Sequence, residues 1–157
     1  MQSLRTLLLT AAVLAATALD ARAEDLKLQA KLIWGSNDKP EDIQHKRVNH
    51  ELAGDLQRTF KWQNYFEITN QIALIPVNKS YDFKMSSRCT LKIKNLGASR
   101  IEVSCIGEGK QVSKGVHTLP AKWLVLGGND TNNTAWFVGL RALDSKLAEA
   151  KKPDAKN

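Results

Sequence analysis

The stretch that decides the fold runs from Cys89 to Cys105 and reads CTLKIKNLGASRIEVSC. Apolar and polar residues alternate along 89–94 and again along 100–106, and the loop-forming residues 95–99 separate the two runs. Alternation with a period of two is the pattern of a β-strand that has one face in a core. The stretch therefore predicts an antiparallel hairpin.

The two cysteines set the expected register of this hairpin. If Cys89 lies opposite Cys105, the aliphatic side chains of both strands share one face, and Lys92 lies opposite Glu102 on the other. Directly opposed residues at a non-hydrogen-bonded position have Cα atoms about 4.5 Å apart, at the short end of the range for a disulfide. We therefore predict a structural Cys89–Cys105 disulfide, with two free buried thiols or a redox-active pair as the alternatives.

Short strands account for most of the remaining chain. Residues 25–32 alternate in the same way, and Ile33 and Trp34 extend this strand. Because Pro76 lacks a backbone donor, it ends a later strand or places that strand at a sheet edge. Thr69-Asn70-Gln71 has the size of a hairpin connection between two of these strands. The predicted strands outside the hairpin lie at 25–34, 65–68, 72–75, 111–119, 123–126 and 135–142.

One short helix is predicted after residue 49. Asn49 is a suitable N-cap, and Leu52, Leu56 and Phe60 follow at a spacing of four, which places them on one helical face. Because no helix separates successive strands, about eight short antiparallel strands predict an all-β, β-sandwich-like fold with one short α-helix.

The two ends of the chain differ from its centre. Arg5, the apolar run 6–19 and the small residues Ala21 and Ala23 form the pattern of a secretory signal peptide over 1–23. Cleavage after Ala23 removes 23 of 157 residues and leaves 134. We expect a periplasmic or secreted protein with a single β-rich domain at 24–143, no transmembrane segment after cleavage, and a flexible polar tail at 144–157.

Positive charge is concentrated near the hairpin. The chain carries a net charge of +7, and residues 79–122 hold nine basic and three acidic residues. A positive sheet face fits an acidic protein, a cell-wall polymer or an anionic lipid surface, whereas export makes nucleic acid an unsuitable partner. The alternative without a binding function is that the lysines keep a solvent-facing strand soluble and prevent it from pairing with strands of other molecules. The candidate binding residues here are Lys92, Lys94, Arg100, Lys110 and Lys114.

The loop 127–134 supplies three further binding candidates, Asn129, Asp130 and Asn132. Their carbonyl and carboxylate oxygens are of the kind that holds Ca²⁺ or a sugar. The alternative is a long hairpin turn, because Asn and Gly are also the residues that adopt positive φ angles.

Catalytic chemistry has little support in the sequence. His45 and His50 are five residues apart, which is not a metal-binding spacing, and neither an H-E-x-x-H nor a G-x-S-x-G motif is present. We predict no catalytic residue, metal ligand or cofactor. A small hydrolase assembled from dispersed residues such as His50, Asp55 and Glu67 is the less favoured reading.

The four tryptophans, Trp34, Trp62, Trp123 and Trp136, lie at strand ends or within apolar strands. Packing in the core or at a strand edge is the favoured interpretation, and an exposed aromatic platform for sugars or peptides is the alternative.

Five short segments stand out together: LIWG (32–35), FKWQNYFE (60–67), GEGK (107–110), GGND (127–130) and AWF (135–137). With these segments the chain resembles a group of uncharacterised small exported bacterial proteins. The resemblance covers nearly all of the chain after the signal peptide and implies export and a compact domain, without an activity or a ligand. The expected function is an exported binding or interaction module, with a structural accessory of an envelope complex as a further alternative.

Overall fold

The structure, a computed structural model, describes residues 25–38, 44–129 and 133–143. The predicted signal peptide and polar tail lie outside the described residues, as do Asp130 and Asn132. Within the described residues, no helix has both the length and the apolar character needed to cross a membrane.

The described chain forms two antiparallel sheets and one helix, which confirms the predicted all-β class. Sheet A has the strand order β2-β3-β1-β9-β8, and sheet B has the order β4-β5-β6-β7. The elements are β1 (Leu26–Ser36), β2 (Lys46–Arg47), α1 (His50–Thr59), β3 (Asn64–Ile75), β4 (Ser80–Lys84), β5 (Cys89–Gly97), β6 (Arg100–Gly107), β7 (Lys110–Thr118), β8 (Leu124–Asn129) and β9 (Ala135–Ala142).

The main core lies between the two sheets. Leu28, Ala30 and Leu32 project from β1 on one face of sheet A, as the period-two alternation predicts. They pack with residues of β5 and β6, among them Ile93 and Ile101, which are fully buried. Face-to-face packing of two sheets is the arrangement of a β-sandwich.

The opposite face of sheet A is partly covered by α1. The side chain of Asn49 accepts a hydrogen bond from the backbone of Leu52 at 3.1 Å, so Asn49 is the N-cap that the sequence predicts. Leu52 and Leu56 are buried against aromatic residues of sheet A. Gly35 permits this packing, because a Cβ there would lie 2.9 Å from the ring of Phe137.

The predicted hairpin connection at Thr69-Asn70-Gln71 is wrong. These residues lie inside β3, which pairs with β1 along the whole length of β1 and has one bulge opposite Leu32 and Ile33. Thr69 faces sheet B, and its hydroxyl donates to the backbone oxygen of Met85 at 2.6 Å. The prediction that β3 ends at Pro76 is confirmed.

The register of the β5–β6 hairpin also differs from the prediction. Cys89 lies opposite Gly107, and Cys105 lies opposite Leu91, a displacement of two residues. The reason is that β5 continues to Gly97 and only Ala98 and Ser99 form the turn, instead of a loop over 95–99. Because the displacement is an even number, every side chain keeps its predicted face.

Asn95 lies within β5 and is 2% exposed. Its Nδ2 donates to the backbone oxygen of Ile75 at 2.9 Å, and its Oδ1 accepts from the backbone of Gly97 at 2.9 Å. Ile75 belongs to sheet A and Asn95 to sheet B. One amide side chain therefore joins the two sheets and also stabilises the bulge before the turn.

We expect Asn95→Ala to lower the free energy of unfolding by about 2–3 kcal/mol, because it leaves the buried carbonyl of Ile75 and the partly buried N–H of Gly97 without these partners. Gln111→Ala, at an exposed position of β7, is the matched control and should change stability by less than about 0.5 kcal/mol. Urea denaturation of both variants measures the difference. Equal stabilities would contradict the role assigned to Asn95.

Candidate functional site

Four of the basic candidates share one surface of the structure. Lys92 and Lys94 project from β5, Arg100 from β6 and Lys114 from β7, all on the face of sheet B that points away from the core. Lys110 lies at the start of β7, directly after the Glu108-Gly109 turn. We call this outer surface the cationic face, and its residues are Ser80, Asp82, Lys84, Thr90, Lys92, Lys94, Arg100, Glu102, Ser104, Ile106, Lys114, Val116 and Thr118.

The cationic face carries five cations and two carboxylates, an excess of three positive charges. Among the described residues, the one ion pair across it joins Lys114 to Glu102 at 3.2 Å. The predicted Lys92–Glu102 pairing is wrong, because Lys92 lies opposite Ser104. Within the described part of the chain, Lys92, Lys94 and Arg100 form no ion pair.

Lys84 also belongs to the cationic face, although the sequence does not single it out. It lies on β4, opposite Thr90 of β5. The alternation of SYDFK at 80–84, with Phe83 buried and Lys84 exposed, is the signal that identifies it.

The two cysteines are free thiols 4.2 Å apart, so the predicted disulfide is not formed. The register explains the difference, because Cys89 and Cys105 are diagonal neighbours on one face instead of directly opposed residues. Both pack against the main core. Burial, followed by the effect of the neighbouring Cys105, raises the pKa of the Cys89 thiol from its ordinary value of 9.0 to about 11.

This raised pKa predicts a specific loss of stability in alkali. The folded protein holds the Cys89 proton more tightly than the unfolded chain, so this contribution is present below about pH 9 and is lost as the pH rises towards 11. We expect the unfolding free energy to fall more steeply between pH 9 and 11 in the native protein than in Cys89→Ala. Cys105→Ala should lie between them, and identical slopes for all three would contradict the prediction.

The oxygen-rich loop after β8 is described only at its start and end. Asn129 is the last residue of β8 and lies opposite Ala135. Asp130 and Asn132 lie outside the described residues, so a Ca²⁺ or sugar site in this loop stays a prediction.

The residues of the hydrolase alternative are not brought together. His50 is exposed at the start of α1, Asp55 is paired with Arg58 at 3.4 Å, and Glu67 is paired with Lys31. Among the described residues, no hydrogen bond joins a histidine to a carboxylate or hydroxyl. The same residues contain no group of three side chains able to hold a metal ion.

Glu67 instead belongs to a polar cluster on the outer side of sheet A. The side chains of Lys31 and Glu67 are 9% and 12% exposed and form a hydrogen-bonded ion pair. Arg141 stacks 4.5 Å from the ring of Trp123 and donates to Gln29 at 2.9 Å. Glu67 therefore has a structural role, which is to bind the ammonium group of Lys31.

Removing one partner of the Lys31–Glu67 ion pair should therefore lower the free energy of unfolding more than removing both partners. We expect Lys31→Met to lower the unfolding free energy by about 3 kcal/mol, because it leaves the largely buried Glu67 carboxylate without its cation. The double variant Lys31→Met/Glu67→Gln should recover most of this loss. Urea denaturation of the two single variants and the double variant tests the coupling, and simple additivity would refute it.

A cleft of about 490 Å³ lies between α1 and the start of β8. Trp123 forms part of its wall, and the indole N–H of Trp123 is buried without a hydrogen-bond partner among the described residues. The carboxylate in the cleft, Asp55, is already paired with Arg58. The lining residues are Asp55, Leu56, Arg58, Thr59, Phe60, Lys122, Trp123 and Val125.

Comparison with protein-family models, curated proteins and solved structures finds no match to the chain. The resemblance to small exported bacterial proteins stays a prediction.

Proposed function

We propose that the protein is an exported interaction module that binds the surface of an anionic lipid bilayer through the cationic face. The observation that carries the proposal is the excess of three positive charges on one face of sheet B. The side chains of Lys84, Lys92, Arg100 and Lys114 are all exposed there. Clustered cations near a membrane attract anionic lipids with about 1 kcal/mol for each Lys or Arg.

The spread of the charges favours a surface over a small ligand. The cations lie on four neighbouring strands, which together span roughly 15 Å at the usual strand spacing. They do not converge on a single point, as the ligands of one bound anion do. Many phosphates in a plane match such a distribution better than one phosphate in a pocket.

The uncharged residues of the cationic face also suit a bilayer. Thr90 and Thr118 lie beside the cations, and their hydroxyl groups are suitable donors for phosphate oxygens. Val116 is 51% exposed and offers a small apolar contact. We therefore expect shallow, salt-dependent binding without insertion into the hydrocarbon. The predicted signal peptide supports this reading, because export would bring the chain to a membrane surface.

Vesicle sedimentation tests the proposal. We expect binding to vesicles of phosphatidylglycerol and phosphatidylcholine at low salt, weak binding to pure phosphatidylcholine, and release at high salt. Lys92→Gln/Lys94→Gln removes two cations of the face and should weaken binding roughly tenfold or more.

The matched control is Lys46→Gln/Lys122→Gln, which removes two exposed cations outside the cationic face. It changes the net charge equally and should bind nearly as well as the native protein. Equal weakening by both pairs would mean that only net charge matters. Binding to an acidic protein or cell-wall polymer but not to the vesicles would overturn the choice of a lipid partner.

A further inference from the structure

A row of aromatic residues crosses sheet A on the face that packs against sheet B. Cross-strand pairing places Arg47 opposite Phe66, Phe66 opposite Trp34, Trp34 opposite Trp136, and Trp136 opposite Gly128. Residues directly opposed in a sheet project to the same side. The row therefore runs across all five strands of the sheet, and we call it the aromatic row.

The aromatic row extends beyond the core between the sheets. Trp34 follows Leu32 by two residues on the same face, and Leu32 is the last residue of that face of β1 in the main core. Neither apolar cluster of the described residues includes Trp34 or Trp136. Phe66 is buried, Trp34 is partly buried, and Trp136 is 40% exposed. Phe66 is 1% exposed and therefore out of reach of a ligand, so Trp34 and Trp136 form the accessible part of the row.

The ring geometry is that of a platform. The centroids of Trp34 and Trp136 are 6.5 Å apart and their planes differ by 30°, while Trp34 and Phe66 are 5.9 Å apart with planes 39° apart. An aromatic cage for a quaternary ammonium ion surrounds the cation with several ring faces. Neighbouring rings that are closer to coplanar instead present one extended apolar surface.

Gly128 lies on the edge strand β8, directly opposite Trp136. Among the described residues, a Cβ at Gly128 would meet no atom closer than the backbone oxygen of Trp136, at 3.8 Å. Gly35, in contrast, is required by the packing of Phe137. The absence of a side chain at Gly128 therefore serves no close contact with the described residues, and the position lies on the same face of sheet A as the Trp136 indole.

We propose that the aromatic row is a binding site for a glycan built of pyranose rings. The C–H groups on one face of a pyranose carry partial positive charge, and the face of an indole carries the negative part of the ring quadrupole. The hydroxyl groups at the rim of the sugar stay in water or meet polar side chains. Arg47, whose guanidinium lies 5.9 Å from the ring of Phe66, supplies donors at one end of the row.

The glycan site is separate from the cationic face, since it lies on sheet A and its stacking surface is uncharged. Neutral polysaccharides therefore test it without a contribution from the lysines of sheet B. We suggest electrophoresis of the native protein through gels that contain glycol chitin, hydroxyethyl cellulose or xylan, followed by fluorescence titration with the matching tetrasaccharide. At least one polysaccharide should retard the protein, and added salt should not abolish the effect.

Three variants locate the binding. Trp136→Ala should bind roughly tenfold or more weakly, as expected for removal of a central aromatic contact. Gly128→Val should also weaken binding with unchanged thermal unfolding, because it places a branched side chain next to Trp136 on the same face of sheet A, at a position where a Cβ meets no close contact. Tyr81→Ala is the matched control, since Tyr81 is 43% exposed on sheet B.

The expected result is retardation of the native protein and Tyr81→Ala but not of Trp136→Ala. The proposal is overturned if none of the three polysaccharides retards the native protein, or if Trp136→Ala and Tyr81→Ala behave alike. Binding of a proline-rich peptide in place of every glycan would likewise overturn the ligand class, since such peptides also use aromatic surfaces.

Discussion

The hydrogen bond from Asn95 to Ile75 is the constraint on which the arrangement of the two sheets depends. The chain passes from sheet A to sheet B between Ile75 and Ser80, and this crossing is held at several points by one residue. The backbone of Asn95 accepts from Asn78 at 2.8 Å and donates to Lys79 at 3.0 Å, while its side chain reaches Ile75. Because β5 is thereby fixed to the end of β3, its odd-numbered residues face the core. The lysines at even positions consequently face solvent.

The sequence was sufficient to predict those strands, and the helix, whose signals come from residues close together in the chain. The alternation along β1, β5 and β6 predicted strands, and Asn49 with the Leu52–Leu56 spacing predicted the helix, because each signal depends on neighbours along the chain. The same alternation predicted which charged residues share the outer face of sheet B. The cationic face was therefore largely predictable, apart from residues on β4 such as Lys84.

What the sequence could not predict depends on contacts between distant segments. The register of the β5–β6 hairpin follows from its turn, where Gly97, Ala98 and Ser99 all have positive φ angles of 80°, 49° and 58°. Ala and Ser give no local signal for that conformation. Thr69 lies in a continuous strand because its hydroxyl meets the backbone of Met85. The aromatic row exists only because separate strands place Trp34 and Trp136 side by side.

The two-residue displacement of the hairpin has a consequence for how this protein tolerates changes in length. Successive side chains of a strand point to opposite faces. Adding or removing two residues before the turn would therefore leave the lysines of β5 on the outer face. A single inserted residue in β5 would instead carry Lys92 and Lys94 into the space now filled by Leu91 and Ile93. Among relatives of this chain, length variation within the strand should therefore occur in even steps, and odd steps should be confined to the turn.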